Sequence, residues 1–513
     1  GQGVRIDKNQ LSSEQREKYD AGYRRHQFNE MVSGIIPVTR QILNVTEPQC
    51  LQIQYNLQKL PKAGVVIIFH NEAWSVLLRS LHSVLRTVPD ILLTEIILVD
   101  DASTHVILNR PLEDYIRDIP MVKLVRLQNR MGLMTARMEG LKYVSGEVAV
   151  FLDSHVETAE RWLEPLLSRI QGNKNILAVP GIDRIDSDDF SFQSVPVSSR
   201  QIGGFDLDLY YNWILMRRQD LANPLAPMRS PTHLGCCFAI SVETFKRLGQ
   251  YDPELKIWGC ENIELSFKVW MCGGHIEIIP CSHVGHMFRQ TAPYDYGPDG
   301  SDVIRRNCLR VAEVWMDNYK YFYYERIFNK QMYTDIGDVD ERKLLRKQLG
   351  CKSFQWYITN AYPELYLPFG WLASGQIQNV GISDMCIETP IQWANYGQEV
   401  YVSRCNKDIL VQHFTLTKEN QIRRDEGCLD VSGKKLIVIQ CIKLTLQRWK
   451  YTKGGWLLHI PSKKCLELTP DGTGLELMVC DRDNLFQKWQ WNRKIPRQIK
   501  QLRRKHFERR PKQ

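Results

Sequence analysis

Val65-Val66-Ile67-Ile68-Phe69-His70-Asn71-Glu72 runs five apolar residues straight into three polar ones. A continuous apolar run of that length reads as a strand buried on both faces. Immediately downstream, Trp74, Leu77, Leu78, Leu81, Val84, Leu85 and Val88 keep to one face of a helix. The alternation then repeats. Glu95–Val99 reads as strand, Leu108–Ile119 as a helix interrupted near its start by Pro111, Val122–Arg126 as strand and Leu133–Val144 as helix. Val148–Leu152 reads as strand, Ala159–Ile170 as helix and Ile176–Val179 as strand. Strands alternating with helices predict a parallel sheet with crossover helices, an α/β domain.

In such sheets ligands sit beyond the carboxyl ends of the strands. The residues to inspect are therefore His70-Asn71-Glu72, Asp100-Asp101, Gln128-Asn129-Arg130 and Asp153-Ser154-His155. None of these turns carries G-x-G-x-x-G or a P-loop, which argues against a dehydrogenase or a P-loop NTPase. Carboxylates and a histidine at strand ends point instead to a metal, and a metal to a diphosphate. Taken alone, Asp153-Ser154-His155 is no more than a strand-end cap for the next helix. As a metal site it needs a third donor, and His283 and His286 in Cys281-Ser282-His283-Val284-Gly285-His286 are both candidates by spacing. One carboxylate with two imidazoles suits a divalent first-row ion such as Mn²⁺ that also accepts phosphate oxygens. A non-haem iron oxygenase uses the same donors, but in an all-β barrel rather than in alternating β/α text.

Residues 1 to about 60 are polar without sustained periodicity, and 180–235 are rich in loops. A helix is expected from Glu261 to Cys272, closed by Gly273-Gly274, with others over Arg310–Tyr324 and Asp340–Gln348. Trp258-Gly259-Cys260-Glu261-Asn262 opens the first of these, where a Trp can wall a sugar and Glu261 and Asn262 can bond hydroxyls; a first-turn Glu also suits the helix dipole. Arg289 and Tyr294 fall in a segment that could cover a diphosphate, or could be plain surface loop.

The last quarter is a threefold repeat. Cys386…Cys405…Gln412-His413-Phe414 recurs as Cys428…Cys441…Gln447-Arg448-Trp449 and as Cys465…Cys480…Gln487-Lys488-Trp489. Units of about 40 residues must share a core, and this pattern resembles the ricin-type β-trefoil, with a disulfide closing each unit.

The 513 residues suggest two to four domains, and a hydrophobic fraction of 43% with 24% charge excludes a disordered or fibrous chain. No run approaches the roughly 18–20 apolar residues of a membrane span, and no signal-like start is present. The net charge of +9 is held by the tail Asn492–Gln513, with ten basic residues against Glu508, so no nucleic-acid partner is implied. Fourteen cysteines and the Asn44-Val45-Thr46 sequon indicate an oxidising, luminal compartment.

Together, Phe69-His70-Asn71-Glu72-Ala73, Asp100-Asp101-Ala102-Ser103, Asp153-Ser154-His155, Trp258–Asn262, Glu264–Phe267 and Val284-Gly285-His286 make the chain similar to the polypeptide N-acetylgalactosaminyltransferases from about Gly22 to Trp491. The resemblance implies a Rossmann-like, nucleotide-sugar-binding GT-A catalytic domain followed by an all-β ricin-type β-trefoil. The expected division is a lead-in at 1–60, the GT-A domain at 61–362, a linker at 363–382, the trefoil at 383–493 and a basic tail at 494–513. It implies Mn²⁺ on Asp153, His155 and His286. UDP-GalNAc would lie on His70, Asp101, Arg130, Ser154, Trp258, Arg289 and Tyr294, with Glu261, Asn262 and Arg289 in catalytic positions. It further implies disulfides Cys50–Cys281 and Cys272–Cys351 beside Cys386–Cys405, Cys428–Cys441 and Cys465–Cys480, leaving Cys236, Cys237, Cys260 and Cys308 free or otherwise paired.

The implied activity is retaining transfer of GalNAc from UDP-GalNAc to Ser or Thr of a polypeptide or glycopeptide, in the Golgi lumen. In this family the luminal part follows a type II membrane anchor, here expected outside the chain. The alternatives are the same fold with another UDP-sugar, or a pseudoenzyme that binds peptide or glycan.

Two departures from the family stand out. Cys260 replaces a more usual Gly or Ala. In the trefoil, no unit keeps both the Asp and the Asn of a sugar pocket: unit one has Glu388 and Val411, unit two Asp430 and Leu446, unit three Glu467 and Phe486. Asp430 marks the one residual lectin site, and weak or absent GalNAc binding is expected.

Overall fold

The computed structural model describes every residue except 43–44, 290, 298–299, 301, 328–331, 391–396, 407–409, 443–444, 492–497 and 503–513. Asn44 of the sequon, part of the turn after Tyr296 and most of the basic tail lie outside the described residues. The chain forms two compact units: Gly1–Gly204, Ile214–Trp315 and Ile336–Ala361 make the first, and Phe205–Trp213, Met316–Asp335 and Tyr362–Gln513 the second.

The first unit is built on a ten-stranded sheet. Its elements are β1 (Ala63–Phe69), α1 (Trp74–Thr87), β2 (Leu93–Asp100), α2 (Arg110–Ile116), β3 (Val122–Arg126), α3 (Leu133–Leu141), β4 (Val148–Asp153), β5 (Val156–Thr158), α4 (Leu163–Gly172), β6 (Ile176–Ile185) and β7 (Phe192–Gln193). β8 (Met228–Arg229), β9 (Cys237–Ser241), α5 (Val242–Arg247), α6 (Glu261–Met271), β10 (His275–Met287) and α7 (Asp302–Trp315) follow. The strand order is β8-β10-β6-β9-β4-β1-β2-β3, with β5 on β10 and β7 on β6.

The alternating text anticipates the parallel pairs β1–β2, β1–β4 and β2–β3. It does not anticipate that the sheet is mixed: β9 runs antiparallel to both β4 and β6. A strand buried along its whole length, such as β9, looks the same in sequence whichever way it runs. Every residue of β1 is buried. On one face Val65, Ile67 and Phe69 meet Leu77, Leu81, Leu112, Leu163 and Leu166 of α1, α2 and α4. On the other face α3 approaches so closely that a Cβ on Gly140 would stand 2.5 Å from Val66 Cγ1.

Three local expectations are corrected. The polar lead-in contains a helix, Ser13–His26, held by a capping box between Ser12 and Gln15 rather than by an apolar face. Helix α4 begins at Leu163 because residues 156–158 are spent on β5. The stretch Arg310–Tyr324 is two helices, Asp302–Trp315 and Lys320–Arg326, separated at Asp317, whose φ is +49°.

The second unit repeats one motif three times. Gln412, Gln447 and Gln487 are buried, and each accepts at Oε1 from the amide just after its unit's second cysteine, at Asn406, Ile442 and Asp481 (2.9, 2.9 and 2.8 Å). Trp449 and Trp489 each donate Nε1–H to a core-strand carbonyl, of Leu429 and Leu466. These side chains with Ile387, Phe414 and Leu468 form one shared core, the outcome expected of units too small to bury their own.

Candidate functional site

Register brings the strand-end residues level. Ile68 of β1 pairs with Asp153 of β4, and Phe69 with Asp100 of β2. His70, Asp101 and Ser154 therefore leave the sheet side by side. From the other direction, the distal half of β10 pairs antiparallel with β5, setting His286 opposite Val156 and so beside His155.

Asp153, His155 and His286 converge, with donor atoms all within 4.8 Å of one another. His286 Nε2 lies 3.4 Å from Asp153 Oδ2, and its Nδ1 is buried without a hydrogen-bond partner. His155 Nδ1 lies 3.0 Å from Glu72 Oε2, an arrangement that protonates Nδ1 and leaves the Nε2 lone pair for a cation. His283, the other spacing-compatible histidine, is elsewhere: it is buried between Asp183 (2.8 Å) and Glu47 (3.1 Å).

Glu72 ties the site together. It accepts from Ser154 Oγ (3.0 Å) and from Arg289 Nη2 (2.6 Å). Burial pushes its carboxyl up, but Arg289 and His155 outweigh burial and hold it well below the usual range. The sequence pattern puts Glu72 three residues past the end of β1 but gives no sign of this bridging role.

Asp101 acts on the backbone. Its oxygens accept from the amides of Met131 (2.7 Å) and Gly132 (2.8 Å), and Arg130 Nη1 is 3.2 Å away. The turn so fixed touches the next loop, where Leu133 N donates to Ile257 O (2.8 Å) and a Cβ on Gly132 would come within 2.3 Å of Ile257 Cα. With φ at +92° as well, this position requires glycine. Trp258 follows directly.

Two adjoining cavities open above the strand ends. The smaller, about 100 Å³, is walled by Asp153, Ser154, His155, Trp258, Arg289 and Tyr294. The larger, about 890 Å³, continues past His70 and Arg130 to Ser103, Asn129 and the lead-in's Arg24 and Arg25. Arg130 lies over the Tyr294 ring, 5.3 Å from its centre. Burial lowers the pKa of His70, and Arg130 adds to the effect.

Glu261 and Asn262 do not line the smaller cavity. They start α6 beneath Gly235, where a Cβ would stand 3.4 Å from Glu261 Oε1. Glu261 Oε2 accepts from Gly259 N (3.0 Å), and Asn262 Nδ2 donates to His233 O (3.1 Å). Burial raises the Glu261 pKa, and Arg137 opposes the rise. Arg137 itself has no exposed surface and donates to Gly235 O (2.6 Å), Asp153 Oδ1 (3.3 Å) and Tyr251 Oη (3.2 Å). The sequence holds a signal for it: Arg137 sits among Met134, Gly140 and Leu141 on the buried stripe of α3.

The five disulfides named from the sequence are present, and a sixth joins Cys260 to Cys308; Cys236 and Cys237 are free and buried. In the second unit Asp206, Asp208 and Asp425 also converge. Arg424 donates to Asp208 (2.9 Å) and Arg326 pairs with Asp425, so this cluster is an ion-pair network.

Residues 64–249 match the family model "Glycosyl transferase family 2", residues 220–291 "N-terminal domain of galactosyltransferase" and residues 373–489 "Ricin-type beta-trefoil lectin domain". The chain is 43% identical to polypeptide N-acetylgalactosaminyltransferase 5 of Caenorhabditis elegans, over 96% of this chain and 79% of that protein. It is 41% identical to putative polypeptide N-acetylgalactosaminyltransferase 9 of Drosophila melanogaster, over 95% and 76%. A crystal structure of GalNAc-T7 with UDP, GalNAc and Mn²⁺ superimposes with a TM-score of 0.76 at 31% identity, covering 96% of this chain and 91% of that one.

Proposed function

The chain belongs to the polypeptide N-acetylgalactosaminyltransferase family, and from that membership we propose that it moves GalNAc from UDP-GalNAc to Ser or Thr hydroxyls of polypeptides, with retention and with Mn²⁺. The observation that carries the reading is the convergence of Asp153, His155 and His286 beside Arg289, at the mouth of two adjoining cavities above the strand ends. The Golgi lumen is the proposed location, supported by six disulfides. Among the described residues no helix is long and apolar enough to cross a membrane.

The metal fits its proposed ligands. One carboxylate and two imidazoles are a donor set for a first-row divalent ion, and the orphaned Nδ1 of His286 and the Glu72 bond to His155 are what a ligand cluster provides. Bound there, Mn²⁺ supplies Lewis-acid stabilisation of the diphosphate oxygens.

The chain's own groups do the rest. Arg289, oriented by Glu72, places a guanidinium where negative charge grows on the leaving group. His70, Asp101, Arg130 and Ser154 hold the nucleotide end, with Tyr294 stacked on Arg130. Trp258 walls the sugar end, and Glu261 and Asn262 shape it from below. The acceptor hydroxyl attacks the anomeric carbon on the face that the diphosphate leaves, and its proton passes to the departing phosphate oxygen. No covalent nucleophile is assigned.

The test is transfer from UDP-GalNAc to two peptide pools, one bare and one already carrying GalNAc, with Mn²⁺ present or chelated. Transfer that requires Mn²⁺ supports the reading, and the preferred pool defines the acceptor. UDP binding without transfer to either pool would overturn the donor assignment in favour of another UDP-sugar or a pseudoenzyme.

The trefoil carries a separate prediction. In unit one, Glu388 is spent on Tyr401, Ser403 and Gln412. In unit three, Glu467 accepts from Gln487 (2.7 Å). In unit two, Asp430 accepts from its neighbour's amide, Val431 N (2.6 Å), and lacks an Asn partner at Leu446. A sugar hydroxyl thus forfeits charge-assisted bonds worth about 1.5–3 kcal/mol each. Calorimetric titration should find GalNAc binding weaker than millimolar; binding at millimolar strength or better that survives Asp430→Ala would refute this.

A further inference from the structure

Cys260 stands inside the Trp258–Asn262 turn, and its bond to Cys308 of α7 closes a 48-residue separation. Within that span lie Glu261, Asn262, His286, Arg289 and Tyr294, so one crosslink ties the beginning of the sugar-facing turn to the helix that follows the phosphate-facing segment. The bond does not act alone. Asn307, fully buried and adjacent to Cys308, accepts from Lys256 N (3.0 Å) and donates to the carbonyls of Lys256 (2.8 Å), Trp258 (3.2 Å) and Gly259 (3.2 Å). One turn on, Arg310 holds Asp252 through two contacts of 2.9 and 3.1 Å. α7 therefore grips the loop from Asp252 to Cys260 along its length.

The backbone explains why a covalent tether matters here. Cys260 has φ +63° and Gly259 φ +106°. Glycine adopts such angles freely, but a side chain makes the left-handed region unfavourable. A cysteine left untethered at 260 would tend to relax toward ordinary backbone, carrying Trp258 and the start of α6 with it.

We propose that Cys260 and Cys308 are positioning residues. Their disulfide fixes the Trp258–Glu261 turn on α7 and so sets the sugar end of the pocket, while the nucleotide end is fixed separately, by Asp101 and Arg130 in the loops after β2 and β3, and meets the tethered loop at Ile257 rather than at Trp258–Glu261. This rests on reading the pocket as a UDP-GalNAc site.

The test compares the parent enzyme with C260A/C308A and C260G/C308A. In C260A/C308A, kcat/KM for UDP-GalNAc should fall about tenfold, with KM for the donor rising, while the calorimetric Kd for UDP with Mn²⁺ stays within twofold. C260G/C308A, in which glycine accepts the left-handed backbone, should recover most of the loss. Non-reducing peptide mapping of the parent should find Cys260 linked to Cys308 and only Cys236 and Cys237 as free thiols. Kinetics of C260A/C308A within twofold of the parent would overturn the proposal, as would loss of UDP affinity in step with the KM change, or four free thiols in the parent. Should either variant fail to fold, the thiol map still decides whether the crosslink exists, and the remaining variant decides its effect. A parent that binds UDP but transfers no GalNAc would instead defeat the functional reading and leave the thiol map intact.

Discussion

His286→Ala is expected to lower GalNAc transfer by at least about a thousandfold, roughly 4 kcal/mol of lost transition-state stabilisation. The variant removes one of three converging donors and leaves Asp153 and His155 as an incomplete set. Otherwise the His286 ring packs against those of His155 and Phe288. It lies at the margin of β10, its one hydrogen-bonding contact among the described residues is with Asp153, and its other nitrogen has no partner there. Thermal unfolding should therefore change little. His283→Ala is the matched control. That ring is buried between Asp183 and Glu47, so its loss should lower stability and spare transfer by the molecules that remain folded. Transfer by His286→Ala above a tenth of the parent's, at saturating Mn²⁺, would remove His286 from the metal site.

Arg137→Leu is expected to be the most destabilising single change near the site, at about 3–5 kcal/mol. The guanidinium has no exposed surface and serves Asp153, Gly235 O and Tyr251 together. A leucine fills the space but leaves Asp153 without its buried cation and removes the charge that opposes the upward shift of Glu261. The effect has a sign in pH. With Arg137 gone, the folded-state pKa of Glu261 rises further above its unfolded value. The folded state then holds a proton that the unfolded state releases, so the deficit should widen as pH rises above the ordinary carboxylate range. Urea denaturation at two pH values measures both effects. Arg137→Lys, which keeps the charge and loses the fork, should recover part of the stability. A variant as stable as the parent would show that the buried cation is dispensable.

The pocket has three different supports. His286 supplies a donor, Arg137 the buried counter-charge beneath it, and Cys308 with Asn307 the external brace on the sugar-facing turn.

Much of this is legible in the amino-acid sequence, because local patterns carry it. An apolar run such as Val65–Phe69, set in alternating strand and helix text, reads as a buried strand, and the polar residues that follow the parallel strands of an α/β domain gather at one sheet edge. Strand ends alone thus bring Asp101, Asp153, Ser154 and His155 together. The threefold Cys–Cys–Gln-x-aromatic spacing likewise determines a shared trefoil core. What the chain's local patterns leave undetermined is anything set by pairing between distant segments. His283 and His286 are equally eligible by spacing; the antiparallel pairing of β10 with β5 delivers the second, and the parallel pairing of β10 with β6 buries the first against Asp183. The direction of β9, the role of Glu72 between His155 and Arg289, and the burial of Arg137 are of the same kind. So is the bond from Cys260 to Cys308: two cysteines that read as unassigned become partners because α7 returns across the loop that begins α6. Short-range periodicity records which residues are inside, while register and crossover decide which of them meet.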